Sequence, residues 1–226
     1  MGLILNLETA TTNCSVGVAQ DGRLLSLKEH NAPNYSHGEQ LHLFIKESLE
    51  MAGKDLGDLD AVAVSKGPGS YTGLRIGVSA AKGLCFALGL PLIAVPTLKS
   101  MALSVKERVR DMVVSVLDAR RMEVYAAVYD ARLQALGPTE AVVVNRDSFS
   151  IYRHREVLFV GSGAAKIADL LDHDTFSYDP TVIPSARQMV ALSQERYAAG
   201  QLEDVAYFEP YYLKDFMLQT KKKQGH

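Results

Sequence analysis

A chain of 226 residues with 47% hydrophobic and 22% charged residues is long enough to bury a substantial core, and its composition is that of a folded globular protein. A formal net charge of −2 excludes a protein that binds polyanions over its whole surface, and two cysteines, Cys14 and Cys85, both in apolar runs, exclude a disulfide framework. The N-terminus carries no basic segment ahead of a long apolar run, so neither a signal peptide nor a membrane span is expected, and the expected address is cytoplasmic.

In chain order, Leu3 to Glu8 and Cys14 to Ala19 read as strands separated by the Thr-rich turn Thr9 to Asn13. Asp21-Gly22 is a hairpin signal, and Arg23 to His30 is the third strand. A helix is expected from His37 to Ala52, with Ser36 and Glu39 spaced as a capping box. Leu41, Phe44, Ile45, Ser48, Leu49 and Ala52 share one stripe of it, while Leu43 and Met51 lie off that stripe.

The strand Asp60 to Ser65 is apolar and β-branched, as suits a buried central strand, and Gly67-Pro68-Gly69 ends it. Ser70 or Thr72 can cap the long helix that follows, and Gly89 with Pro91 stops it. Only Arg75, Ser79 and Lys82 form a polar arc, so this helix is expected to be covered on two sides. Its small residues Gly73, Gly77 and Ala81 recur every fourth position, a spacing that admits close approach of another helix or equally a tightly packed internal one.

After Leu92 to Val95 and a helix from Thr97 to Arg108, the pattern restarts. Strands are expected at Met112 to Leu117, Arg121 to Tyr129 and Ala141 to Val144, then at Val157 to Val160, which ends in Gly161-Ser162-Gly163 before a helix through Leu171. A last helix spans Ser185 to Ala199. Each half then opens with three strands, the first of them closed by an acid, Glu8 or Asp118. Two βββαβα units with mixed sheets give an α/β, actin-like (ribonuclease-H-like) fold of two lobes, residues 1–109 and 110–226, the second ending in a basic tail at Lys221-Lys222-Lys223 that is expected to be disordered.

That fold class supports several chemistries, each with its own residue requirements. Phosphate transfer needs small turns after the first strand of each half, so that backbone N–H groups can reach phosphates. Here Glu8-Thr9-Ala10-Thr11-Thr12 has no glycine, and Asp118-Ala119-Arg120-Arg121 puts two long side chains in the way. A two-metal nuclease needs clustered carboxylates, yet the central strand ends in Ser65-Lys66 where an acid would be wanted. His37 and His42 are five apart, about 140° around a helix, and do not share a metal as an i, i+4 pair can. No metal and no cofactor is expected.

The run GPGSYTGLRIGVSAAKGLCFALGLPLIAVPTL resembles the signature of the bacterial TsaB (YeaZ) family, and the resemblance continues in LETATTNCSVGV, LDARRMEVYAAVY and EPYYLK. It implies a non-catalytic subunit of the machinery that makes threonylcarbamoyladenosine in tRNA. It implies a heterodimer with the TsaD-like catalytic paralogue, assistance from the ATPase TsaE through the complex, TsaC or its equivalent as source of the threonylcarbamoyl-adenylate, and contact with tRNA that is indirect. In that paralogue a His-x-x-x-His pair after the corresponding strand binds metal, whereas this chain has Val95-Pro96-Thr97-Leu98-Lys99-Ser100-Met101. The alternative function is an autonomous actin-like ATPase or kinase.

The surplus of apolar surface on the first two helices marks the expected docking face: Leu41, His42, Ile45 and Leu49 from one, Gly73, Leu74, Gly77, Val78, Ala81 and Leu84 from the other. Alone, the same face can pair two copies as a homodimer. A cleft between the lobes is expected to gather Glu8, Thr11, Asp118, Arg120 and Arg121.

Overall fold

A computed structural model describes residues 2–32 and 37–213. Strands β1 (Leu3–Glu8), β2 (Asn13–Gln20) and β3 (Arg23–Asn31) form an antiparallel meander, followed by α1 (His37–Ala52), β4 (Ala61–Gly67), α2 (Tyr71–Leu88), β5 (Leu92–Pro96) and α3 (Thr97–Ser104). The second half runs β6 (Met112–Asp118), β7 (Glu123–Asp130), β8 (Glu140–Val143), β9 (Val157–Val160), α4 (Ala164–Ala168), β10 (Phe176–Asp179) and α5 (Ala186–Ala198).

The two five-stranded sheets have orders β3-β2-β1-β4-β5 and β10-β9-β6-β7-β8, which are the same order strand for strand. In each, the first three strands pair antiparallel and the last two join in parallel. This is the duplicated, two-lobed actin-like α/β architecture. The repeat is imperfect in its helices. Where α1 crosses over in the first half, the second has only the single 3₁₀ turn Ser150–Tyr152.

The first sheet is covered on both faces, which is why all six residues of β1 are buried and its sequence is not a simple alternation. Leu3, Leu5 and Leu7 join α1 and α2 in one core, with Leu41, Ile45 and Leu49 from α1 and Val78, Ala81 and Cys85 from α2. Ile4 faces the other way, into a cluster with Ala61, Ala63, Ile93, Val95 and Met189 and Leu192 of α5. Asn6, also on that face, accepts a hydrogen bond from Ser193 Oγ at 2.7 Å, so even the polar residue of β1 is matched by α5.

The expected division at residue 109 is therefore crossed. Helix α5 packs on the first sheet, and Glu203 then pairs with Leu92 on the free edge of β5. Other differences are local. The helix after β5 ends at Ser104 and becomes a 3₁₀ turn at Lys106–Arg108, and α4 stops at Ala168. Strand β10 was not foreseen, because FSYD is short and half polar. The Ser36 capping partner and the tail lysines lie outside the described residues. No helix among those described is long and apolar enough to cross a membrane.

Candidate functional site

The centre of the molecule is the fit of the β1–β2 turn against the start of α2. Ser70 caps the helix, its Oγ accepting from Gly73 N–H at 3.3 Å. Its own N–H donates to Ala10 O at 2.7 Å, and Thr9 Oγ1–H donates to Gly73 O at 2.8 Å. This approach is possible only without side chains on the helix. A Cβ at Gly73 would sit 2.2 Å from Thr9 O, one at Gly77 2.2 Å from Thr9 Oγ1, and one at Gly69 2.4 Å from Ala10 O. The every-fourth glycines thus receive the chain's own turn, not a second helix. His37, at the start of α1, closes the same assembly: it is buried, and its Nε2–H donates to Thr11 O at 2.6 Å.

Beneath the turn lies Glu8. Its Oε1 accepts from Ala10 N–H at 2.6 Å and from Ser65 Oγ–H at 2.8 Å, while Oε2 is buried with no hydrogen-bond partner among the described residues. Burial dominates and pushes the carboxyl up to about 7, against the lowering effect of those donors. Above it, Ala10 of the turn lies directly against Gly69 and Ser70 at the start of α2.

The corresponding turn of the second half is built differently. Asp118 is exposed, with Lys166 Nζ at 2.6 Å and Arg120 N–H at 2.6 Å on its Oδ1, and its own N–H donates to Ser162 Oγ at 3.1 Å. Arg120 and Arg121 are exposed at the tip with φ of 70° and 47°. The partners of Asp118 come from its own half, and those of Glu8 and Thr11 from theirs, so the expected cleft residues form two separate networks.

After β5, Thr97 Oγ1 accepts from Gly67 N–H at 3.1 Å, serving the β4–α2 turn. Among the described residues no group of three or more His, Cys, Asp or Glu side chains is arranged to hold a metal.

The expected docking residues separate sharply by exposure. Leu41, Ile45, Leu49, Gly73, Leu74, Gly77, Val78 and Ala81 are all buried inside this chain and are unavailable to a partner. His42 and half-buried Leu84 remain. They belong to a surface groove of about 530 Å³ between α1 and α2, lined also by Arg75, Ile76, Ser79, Ala80 and Gly83. The stripe that faces outward on α2 is thus rotated from the one the small residues mark, and Ile76 and Ala80 were missed because helical apolar residues look alike whichever way they face. The signal was available in the polar arc: Arg75 and Ser79 fix the outward direction.

Residues 33–222 match the family model described as TsaD: tRNA N6-adenosine threonylcarbamoyltransferase. The chain is 31% identical to the tRNA threonylcarbamoyladenosine biosynthesis protein TsaB of Escherichia coli (strain K12), over 94% of each. The chain belongs to the TsaB family. By contrast, similarity to a tRNA N6-adenosine threonylcarbamoyltransferase of Geobacillus kaustophilus is 39% identity over only 41% of this chain and 31% of that protein. Among solved structures, a TM-score of 0.85 at 27% identity relates 95% of the chain to all of a Pseudomonas aeruginosa protein described as uncharacterized, with similarity to peptidase YEAZ. The TsaB-family resemblance read from the glycine-rich helix therefore extends over nearly the whole fold.

Proposed function

We propose that this chain is the non-catalytic partner subunit of the tRNA threonylcarbamoyladenosine machinery and forms a heterodimer with a TsaD-like catalytic paralogue through the α1/α2 groove. The observation that carries the reading is the β1–β2 turn: it holds no glycine to cradle phosphate and is seated directly on Gly69, Gly73 and Gly77, in a chain 31% identical to a TsaB over 94% of its length. Thr97, in the segment where the paralogue carries its metal-binding histidines, is spent on the Gly67 amide. What is left for function is a surface. The groove is lined by apolar Ile76, Ala80 and Leu84 together with Arg75 and His42, a composition suited to a protein partner.

In this reading the TsaE-like ATPase joins through the complex, tRNA is met through the paralogue, the compartment is the cytoplasm, and the free chain can self-associate through the same groove. The test is reconstitution with the paralogue, the TsaE-like ATPase, a source of threonylcarbamoyl-adenylate and tRNA. Omitting this chain should abolish modification, and the chain should co-elute with the paralogue on size-exclusion chromatography. ATP turnover by the highly purified chain alone would instead favour the autonomous actin-like ATPase.

A further inference from the structure

The segment after α5 is a strap laid along the outer side of α2. It begins with the Glu203–Leu92 bridge and ends with Tyr211 N–H donating to Lys66 O at 2.7 Å and Tyr212 against the ring of Tyr71, centroids 4.9 Å apart. At its middle, Lys82 Nζ of α2 donates to Ala206 O at 3.1 Å and to Phe208 O at 3.0 Å. Asp204 fixes the same turn from the other end, Oδ1 accepting from the N–H groups of Ala206 and Tyr207. Val205 and Phe208 pack toward the core, yet Tyr207, between the two carbonyls that Lys82 holds, is 84% exposed. One helical turn from Lys82 on α2, Phe86 is 87% exposed. These are the two most exposed large apolar side chains among the described residues, and both flank one ammonium bridge.

We propose that the docking face continues from the groove across Lys82 onto the turn Asp204–Phe208, with Phe86 and Tyr207 as its aromatic anchors for the TsaD-like paralogue. The proposal rests on the reading of the groove given above. Two arguments carry it. A stable interface buries roughly 800 Å² and about 20 to 30 residues on each side, and the seven residues that line the groove fall well short of that. Lys82 follows the groove residue Ser79 by one helical turn, neighbours Gly83 and holds Ala206 O and Phe208 O, so groove and turn adjoin across it. In addition, the Tyr207 backbone is already fixed by Asp204 and Lys82, so docking orders little that is not ordered beforehand, as is wanted of an anchor. Exposed aromatic rings carried on a backbone that its own chain already holds are the residue type that dominates binding energy when a partner covers them.

The experiment is calorimetric titration of the paralogue from the same organism with the parent, with Phe86→Ala/Tyr207→Ala, and with Ile151→Ser, an apolar site on the second half that is 69% exposed, circular dichroism verifying the fold of each. The double variant should bind about thirtyfold more weakly or worse, with Ile151→Ser unchanged. Unchanged affinity of the double variant overturns the proposal while leaving the groove reading intact. Absence of any complex with the parent overturns that reading and this proposal with it. If the two substitutions instead disrupt only a homodimer of this chain, with the paralogue still bound tightly, the occupant is a second copy and the proposal fails.

Discussion

Two kinds of residue at the β1–β2 turn work in ways that measurements on single variants can resolve. Gly77→Leu tests whether the glycine serves the fold or a partner. A Cβ alone would stand 2.2 Å from Thr9 Oγ1, so the substitution should lower the stability of the isolated chain by at least the 1–3 kcal/mol typical of overpacking, read from urea denaturation. A variant as stable as its parent would mean that the turn does not sit where it is described. Glu8 makes the second case. Its folded carboxyl titrates near 7 against an ordinary 4.5, so the folded state holds the proton more firmly than the unfolded chain. The stability this contributes is complete below about 4.5 and is lost as pH rises through 7, a swing on the order of 3 kcal/mol. His37, lowered by burial, works in the opposite sense and removes stability as pH falls. Comparing the parent with Glu8→Gln isolates the first effect: the variant should match the parent near pH 4 and exceed it near pH 8. Parallel stability curves for the two proteins would show that Glu8 is not shifted.

Among the elements, α2 connects the folded interior to the outside. Ala80, half-buried on the groove wall, is the position at which a charge should block docking without entering the core. Ala80→Arg should weaken binding to the paralogue at least about tenfold while shifting the stability of the free chain by no more than about 0.5 kcal/mol. Normal binding would remove the groove from the interface. The limits of the sequence are clearest on this same helix. Its ends were legible, since Ser70 and Gly89 are chemically specific cap residues and both cap it. So was the inward stripe of α1, where Leu43 and Met51 do emerge at the surface. The partner of Gly73 and Gly77 was not legible, because a missing side chain records that something comes close without saying what. Thr9 is 64 residues from Gly73 in the chain, and only the fold brings them together. The strap was invisible for a related reason: Asp204 to Tyr212 has no periodicity, and its order comes from single contacts such as the Lys82 bridge.

For the whole molecule, the topology makes the two halves repeats while the packing makes them interdependent. The face of the first sheet formed by Ile4, Ala61, Ala63, Ile93 and Val95 is covered by α5, which arrives from the far end of the chain. A fragment of residues 1–109 keeps all five strands of that sheet but leaves this face with only Leu103 of α3 against it, so it should show no cooperative unfolding transition, whereas residues 1–213 should show one. A monomeric 1–109 fragment with a sharp thermal transition would mean that the α5 contacts are dispensable.

The position of α5 also sets a schedule for synthesis. At about 5–20 residues per second, a ribosome that has just made Pro96 at the end of β5 needs roughly 5 to 20 s more to reach Ala186. During that interval the nascent first sheet presents a strip of isoleucine, valine and alanine to the surrounding solution. Folding of this half during translation therefore stays incomplete until nearly the entire polypeptide has emerged, and a growing chain stalled before α5 is the species most exposed to chaperones and to aggregation.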